Sequence, residues 1–405
     1  MKVLLTGGGT LGPVTPLLAV AEELQQQSGV VRGFSLARAT LKGRTTQKVE
    51  LLWIGTRRGP ERRLVEDAGI KFSWIWAPKW RRYFDVRNVF APLALHLATK
   101  IAWFKLLCMW PDVIVTAGGF VGVPFVWAAA WLRMFGVHIP CLLHNQDVRF
   151  SLANKLVAPF VKKITYALPG TVPVRWKKKS VWTGNPVRAF VLKGNREAGL
   201  KRCGFDGRAP TIMVIGGGTG AQRLNEIVVE ALPELTRHYQ VIHLAGSGKS
   251  AIRHSERSEE SPTNVGSRIR AGSFVATAPQ DDGLNSRYHT FEFVTSEIAD
   301  LYAAADLVIT RAGMGTLFEL AALGKPMVIV PIPGSHQEEN ALYFEVHGAA
   351  VVCRQDTLTP EVLLKIVRHL MEELGTLQTM AAAGHDLAAR DAARRVAQEV
   401  LGLVK

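Results

Sequence analysis

Cysteine is scarce. The chain of 405 residues holds four, Cys108, Cys141, Cys203 and Cys353, with no C-x-x-C pair and no clustering with histidine. This excludes a disulfide framework and the common zinc patterns, and it suits a reducing cytoplasm. The amino terminus lacks the long apolar core of a signal peptide: Met1-Lys2 runs straight into VLLTGGG, a strand closed by a glycine loop, so export is not expected. No D-x-D motif is present to hold a nucleotide-bound metal. A Walker A loop is also missing. Ala245-Gly246-Ser247-Gly248-Lys249-Ser250 ends like one, but His243 stands where its first glycine belongs.

Acidic residues are outnumbered, 34 against 49 Lys and Arg, which leaves a formal charge of +15 and a surface that attracts polyanions. Charge alone does not separate nucleic acid from anionic lipid or phosphorylated small molecules, but its placement helps. Lys79, Arg81, Arg82, Arg87, Lys100 and Lys105 alternate with Trp74, Trp76, Trp80, Tyr83, Phe84, Phe90, Trp103 and Phe104. Cations with interleaved aromatic rings suit a bilayer interface, and no nucleic-acid motif is present. Val113 to Leu132 is uncharged and long enough to suggest a membrane span. Gly118, Gly119, Gly122 and Pro124 divide it, however, into a β-branched run, a turn and an apolar helix, the pattern of a buried strand-loop-helix unit.

With 48% apolar residues the chain can fill two cores. Short β-branched runs alternate with helical patterns, VLLT, LLWIG, VIVT and CLLH first, then TIMVIGGG, QVIHLAG, LVITRAG and MVIVPI. The expected fold class is α/β, with two Rossmann-like domains, 1–187 and 188–405, facing each other across a cleft and the last helix free to return to the first domain. Residues 35–48 and 250–272 read as insertions with little to bury.

Each half opens on a strand-glycine loop-helix unit. These are Gly7-Gly8-Gly9-Thr10-Leu11-Gly12 and Gly216-Gly217-Gly218-Thr219-Gly220-Ala221, where backbone can approach an anion at a helix start. Two such units suit a nucleotide donor on one side and an acceptor on the other better than a dinucleotide enzyme, which needs one. In the third constellation, TRAGMGTLFE, Glu319 lies one turn into a helix, where its carboxylate can accept from vicinal ribose hydroxyls or simply favour the helix start. Gln337 and Asn340, three apart on the next helix, can read sugar hydroxyls or cap the helix.

The segments GGTLGPVTPLLAVAEEL, PDVIVTAGGFVGVP, LHNQDVRFSLAN, TGNPVR, GGGTGA, TRAGMGTLFELAALGKP and HQEENA span nearly the whole chain. As an ordered set they resemble the bacterial peptidoglycan N-acetylglucosaminyltransferases, GT-B enzymes that convert lipid I to lipid II. The resemblance implies inverting transfer from UDP-N-acetylglucosamine to the C4 hydroxyl of lipid-linked N-acetylmuramic acid pentapeptide. It further implies a peripheral position on the cytoplasmic face of the bacterial inner membrane, with residues 73–106 toward anionic lipid. It places the donor on Asn185, Arg188, Gly217, Gly218, Thr219, Gly220, Glu319, Gln337 and Asn340, and the acceptor on Thr10, Gly12, Gly119 and Asn154. No cofactor or metal is expected, the diphosphate charge being met by Arg188 and the helix start after Gly220. The chain departs from the family pattern at several of these segments. Pro13 replaces the usual histidine, Asn145 replaces a glutamate while Asp147 adds a carboxylate two residues on, Phe120 replaces a tyrosine, and Gly218 replaces a serine. Proline cannot act as a base; His144 and Asp147 remain as candidates, and Asp147 is the preferred one. Two alternatives stay open: a GT-B transferase for another lipid-linked acceptor, and a non-catalytic nucleotide-sugar-binding protein at the membrane.

Overall fold

The computed structural model describes residues 1–27, 48–77, 91–216, 221–246 and 287–404. The expected insertions apart from Lys48, residues 78–90 of the basic-aromatic region and residues Gly217 to Gly220 of the second glycine loop lie outside them. The first half builds strands β1 (Lys2–Thr6), β2 (Glu50–Gly55), β3 (Lys71–Trp74), β4 (Val113–Thr116), β5 (Cys141–Asn145), β6 (Lys163–Tyr166) and β7 (Ser180–Trp182). All pair in parallel, in the order β3-β2-β1-β4-β5-β6-β7. Helices α1 (Val14–Gln27), α2 (Glu61–Asp67), α3 (Ala91–Met109), α4 (Gly122–Met134) and α5 (Leu152–Val157) connect them. The uncharged stretch 113–132 is thus a buried strand, a turn at Gly118-Gly119 with φ of 93° and 77°, and a core helix. Val, Ile and Leu fill β1, β4 and β5 because both sheet faces are covered.

The second half repeats the plan with α6 (Arg196–Cys203), β8 (Thr211–Ile215), α7 (Gln222–His238), β9 (Gln240–Leu244), β10 (Tyr288–Phe291), α8 (Ile298–Ala304) and β11 (Leu307–Thr310). It continues with α9 (Met314–Ala322), β12 (Met327–Ile329), α10 (Gln337–Val346), β13 (Val351–Val352), α11 (Pro360–Glu372), α12 (Leu374–Leu387) and α13 (Ala392–Leu403). Its parallel sheet runs β10-β9-β8-β11-β12-β13. Helix α13 crosses back to the first half: Val396, Ala397, Val400 and Leu403 share a core with Val3, Leu5, Leu17 and Leu24, and Glu399 meets Lys163 at 2.7 Å.

In both sheets the strand order reverses beside the first strand, between β1 and β4 and between β8 and β11. Open parallel sheets bind ligands at such points, outside the carboxyl ends of the strands.

Helix α3 is the one described helix long and apolar enough to cross a bilayer by length and composition. One of its faces, Leu95, Ala98, Ala102 and Leu106, is core; the opposite face exposes Leu93, Leu97, Ile101 and Phe104, the last at 65%.

Candidate functional site

A cleft of about 560 Å³ runs between the two sheets and is lined mainly by residues just past the carboxyl ends of the strands. From the first half come Thr10 to Pro13 and Thr15 after β1, Ala117 to Phe120 after β4, and Gln146 and Asp147 after β5, with Asn154 of α5 beside them. From the second half come Ile215 and Gly216 at the end of β8, Glu292 to Thr295 after β10, Thr310, Arg311 and the start of α9 at the end of β11, and Ile332, His336 and Gln337 after β12. The walls touch where Thr15 of α1 packs on Gly315 of α9, so closely that a Cβ at Gly315 would collide with the Thr15 hydroxyl.

The acceptor-side expectations Thr10, Gly12, Gly119 and Asn154 all fall on the first-half wall, together with Pro13. What holds that wall is Glu61, a residue whose role the sequence did not signal. Fully buried at the first turn of α2, it turns back and accepts from Gly9 N at 3.2 Å, Thr56 N at 2.6 Å and the Thr56 hydroxyl at 2.6 Å. Gly8 and Gly59 are glycines because a Cβ at either would strike this carboxylate. The first glycine loop therefore already gives one N–H to an internal anion. Deeper in the wall, Asn145 Nδ2 donates to the Asp147 carbonyl at 2.8 Å, and Asn154 Nδ2 donates to Asn145 Oδ1 at 2.8 Å. Where the family pattern has glutamate, this chain has an amide relay.

Of the two candidate bases, only Asp147 reaches the cleft, with its side chain 17% exposed. Asn340 Nδ2 donates to its Oδ1 at 3.0 Å, and His336 Nε2 stands 3.9 Å from the same oxygen. His144 does not line the cleft, and the expectation of a base there is corrected. It sits within β5, 1% exposed, with Nδ1 3.0 Å from the Thr165 hydroxyl and Nε2 3.1 Å from Asn185 Oδ1. Burial pushes its pKa down to about 4, with the Asn185 contact opposing, so it is neutral and fully engaged. Asn185 is likewise a buried support for His144 and does not meet the cleft where donor binding was expected.

On the donor side Arg188, Glu319 and Gln337 line the cleft. Arg188 Nε donates to Glu319 Oε1 at 2.7 Å, and the Tyr302 hydroxyl to Oε2 at 3.4 Å, all within buried surroundings. Burial works against the Arg188 charge, but the Glu319 carboxylate outweighs it and holds the guanidinium above its ordinary pKa. Burial, aided by Glu319, raises the Tyr302 phenol well above its usual range, which keeps it a donor. The carboxylate retains acceptor capacity for hydroxyls, since two oxygens offer about four lone-pair sites. Gln337, at the start of α10, accepts from Ile332 N at 3.2 Å.

Asn340 departs from expectation. It is fully buried, its Oδ1 accepts from Val148 N at 3.1 Å, and its Nδ2 donates to Asp147 and, at 3.3 Å, to the Ala312 carbonyl. Two of these bonds, to Val148 and Asp147, join the two halves, and the third stays within the second half, so in this structure Asn340 is engaged with protein partners and does not line the cleft. One turn of helix separates it from Gln337, enough to take it from the cleft wall into the interface. Residues Gly217, Gly218, Thr219 and Gly220 lie outside the described residues. Near the ends of that loop, Asn225 accepts from His243 at 3.1 Å and donates to the Ala245 carbonyl at 2.8 Å. Arg311 and His336, present in the family-like segments without an assigned role, both face the cleft.

The chain matches the glycosyltransferase family 28 N-terminal domain over residues 33–166 and the C-terminal domain of that family over 211–396. It is 35% identical over 375 residues to a Bacillus cereus protein named UDP-N-acetylglucosamine--N-acetylmuramyl-(pentapeptide) pyrophosphoryl-undecaprenol N-acetylglucosamine transferase 2, covering 91% of each chain. To the transferase of the same name, without the numeral, from Lachnoclostridium phytofermentans it is 33% identical, covering 92% of this chain and 91% of that one. Among solved structures, the MurG of Acinetobacter baumannii superposes with a TM-score of 0.66 at 26% identity and 99% coverage of both chains.

Proposed function

The chain belongs to glycosyltransferase family 28, and on that footing we propose that it is an inverting transferase making the disaccharide lipid of peptidoglycan synthesis. It moves N-acetylglucosamine from UDP-N-acetylglucosamine to the C4 hydroxyl of lipid-linked N-acetylmuramic acid pentapeptide. The observation that carries this is the cleft itself. Glu319 and Gln337 stand on one wall and Asp147 with the first glycine loop on the other, at the switch points of two facing sheets.

The donor lies on the second half, with its ribose hydroxyls on Glu319, its sugar on Gln337 and its diphosphate at the start of α9 and the second glycine loop. The acceptor sugar lies against Thr10, Gly12, Gly119 and Asn154. Asp147 takes the proton of the attacking hydroxyl as the oxygen bonds to the anomeric carbon and UDP departs from the opposite side. A carboxylate base is worth about 10²–10⁴ in rate. Asp147→Asn is therefore expected to lower kcat by that factor while leaving UDP binding within about twofold; unchanged turnover would remove Asp147 from the mechanism.

The acceptor is a lipid, and α3 supplies a surface for it. Its exposed face of Leu93, Leu97, Ile101 and Phe104, with Lys100 beside it, suits a helix lying in the headgroup region. Flotation with vesicles containing anionic lipid tests this contact, and Leu97→Glu with Phe104→Glu should abolish it without altering UDP binding.

A further inference from the structure

Two guanidinium groups line the described part of the cleft, and they differ in what balances them. Arg188 is already neutralised: Glu319 meets it at 2.7 Å, and Glu22 of α1 adds a second nearby carboxyl group. Arg311 has no such partner. It is 7% exposed, its Nη1 donates to the carbonyls of Val330 at 2.9 Å and Pro331 at 3.3 Å, and its Nη2 donates to Gln355 Oε1 at 2.6 Å. Its Nε has no hydrogen-bond partner, and no carboxylate among the described residues lies within ion-pair distance of it. All of its acceptors are neutral dipoles. Burial alone accordingly lowers the guanidinium pKa, with no opposing acid. Keeping a cation out of water behind dipoles is costly unless an anion completes the site.

Its position says where that anion belongs. Arg311 directly follows β11, and the chain turns through Ala312 and Gly313 into α9, whose unpaired N–H groups and positive helix end face the cleft. We propose that Arg311 is the fixed positive charge that balances the diphosphate of a nucleoside diphosphate donor and of the departing nucleotide, acting from behind the α9 start, whereas Arg188 serves the Glu319 carboxylate. The assignment rests on the reading of this cleft as a nucleotide-sugar site and replaces the expectation that Arg188 meets the diphosphate.

Calorimetric titration of the full chain with UDP and, separately, with uridine tests it, because only UDP carries the charge. Arg311→Met is expected to weaken UDP binding by about 10–100-fold, the range for a lost charge-assisted contact, and to leave uridine binding within about threefold. Equal weakening of both ligands would make Arg311 a scaffold and overturn the assignment, as would unchanged UDP binding. Should Arg311→Met fail to fold, Arg311→Lys decides, since it keeps the charge while losing the fork to Val330 and Gln355. A preserved preference for UDP over uridine supports the proposal, and a collapsed preference contradicts it. A wild-type chain that binds no UDP would overturn the nucleotide-sugar reading together with this assignment.

Discussion

Breaking the Arg188–Glu319 pair offers a quantitative test of how the donor wall is held. Both side chains are nearly out of water, 9% and 4% exposed, so solvent screening does little to reduce their attraction. Removing one partner strands the other. Glu319→Gln leaves a buried guanidinium facing an amide, for which losses of about 3–5 kcal/mol are usual. Two features place the loss at the low end. The amide oxygen of that variant can still accept from the Tyr302 hydroxyl, as the carboxylate does. Glu22, whose pKa is raised by burial first and by the Glu319 charge among lesser causes, would ionise more readily once the Glu319 charge is gone and would serve Arg188 in its place. Arg188→Met is expected to cost about as much. The double variant removes both charges and should be more stable than the sum of the two losses by about 2–3 kcal/mol. Urea denaturation of the four proteins without ligand, followed by far-ultraviolet circular dichroism, measures this coupling. Additive losses, or a Glu319→Gln variant as stable as wild type, would refute the mutual dependence of this buried pair.

Acid should weaken the fold through two histidines that no cleft contact explains. Burial lowers both His144 and His243 to about 4 from an ordinary 6.5, so the unfolded chain binds protons more tightly than the native one. Their contribution is complete above about pH 6.5 and is lost as pH falls toward 4, by up to about 3 kcal/mol each. Melting temperatures measured from pH 8 to pH 4.5 should drop accordingly, and His243→Asn should flatten the profile. Gly315→Ala places a methyl group against the Thr15 hydroxyl and should hold the walls apart. A misplacement approaching 1 Å costs about 10²-fold in rate, so kcat should fall by at least roughly tenfold, and Thr15→Ala in the same chain should restore most of it.

The architecture was legible because β-branched runs alternate with helical patterns and glycine loops recur at the carboxyl end of β1, β4 and β8, whereas the strand order that sets the switch points was not. Glu319 and Gln337 were legible as residue types at helix starts, and Asp147 only through the departure of its segment from the family pattern. Their partners were not. Arg188 and Glu319 are 131 positions apart, and nothing local announces that one occupies the other. Asn340 shares a helix face with Gln337 by spacing, yet it meets Asp147 and Val148 from the opposite half, which a helical wheel cannot show. His144 belongs to the last two residues of β5, inside the sheet, whereas Gln146 and Asp147 lie just past the strand, where the cleft begins. Glu61 was hidden for the same reason: an acid in the first turn of a short helix reads as ordinary helix chemistry until its side chain is seen to fold back under the glycine loop.

Transfer of radiolabelled N-acetylglucosamine from its UDP donor to a lipid I analogue by the purified chain tests the central claim most directly. A β-linked disaccharide lipid is expected from the wild-type chain, retained at about 10⁻²–10⁻⁴ of that rate in Asp147→Asn and lost with Glu319→Ala. UDP binding without any transfer to this acceptor would contradict the claim.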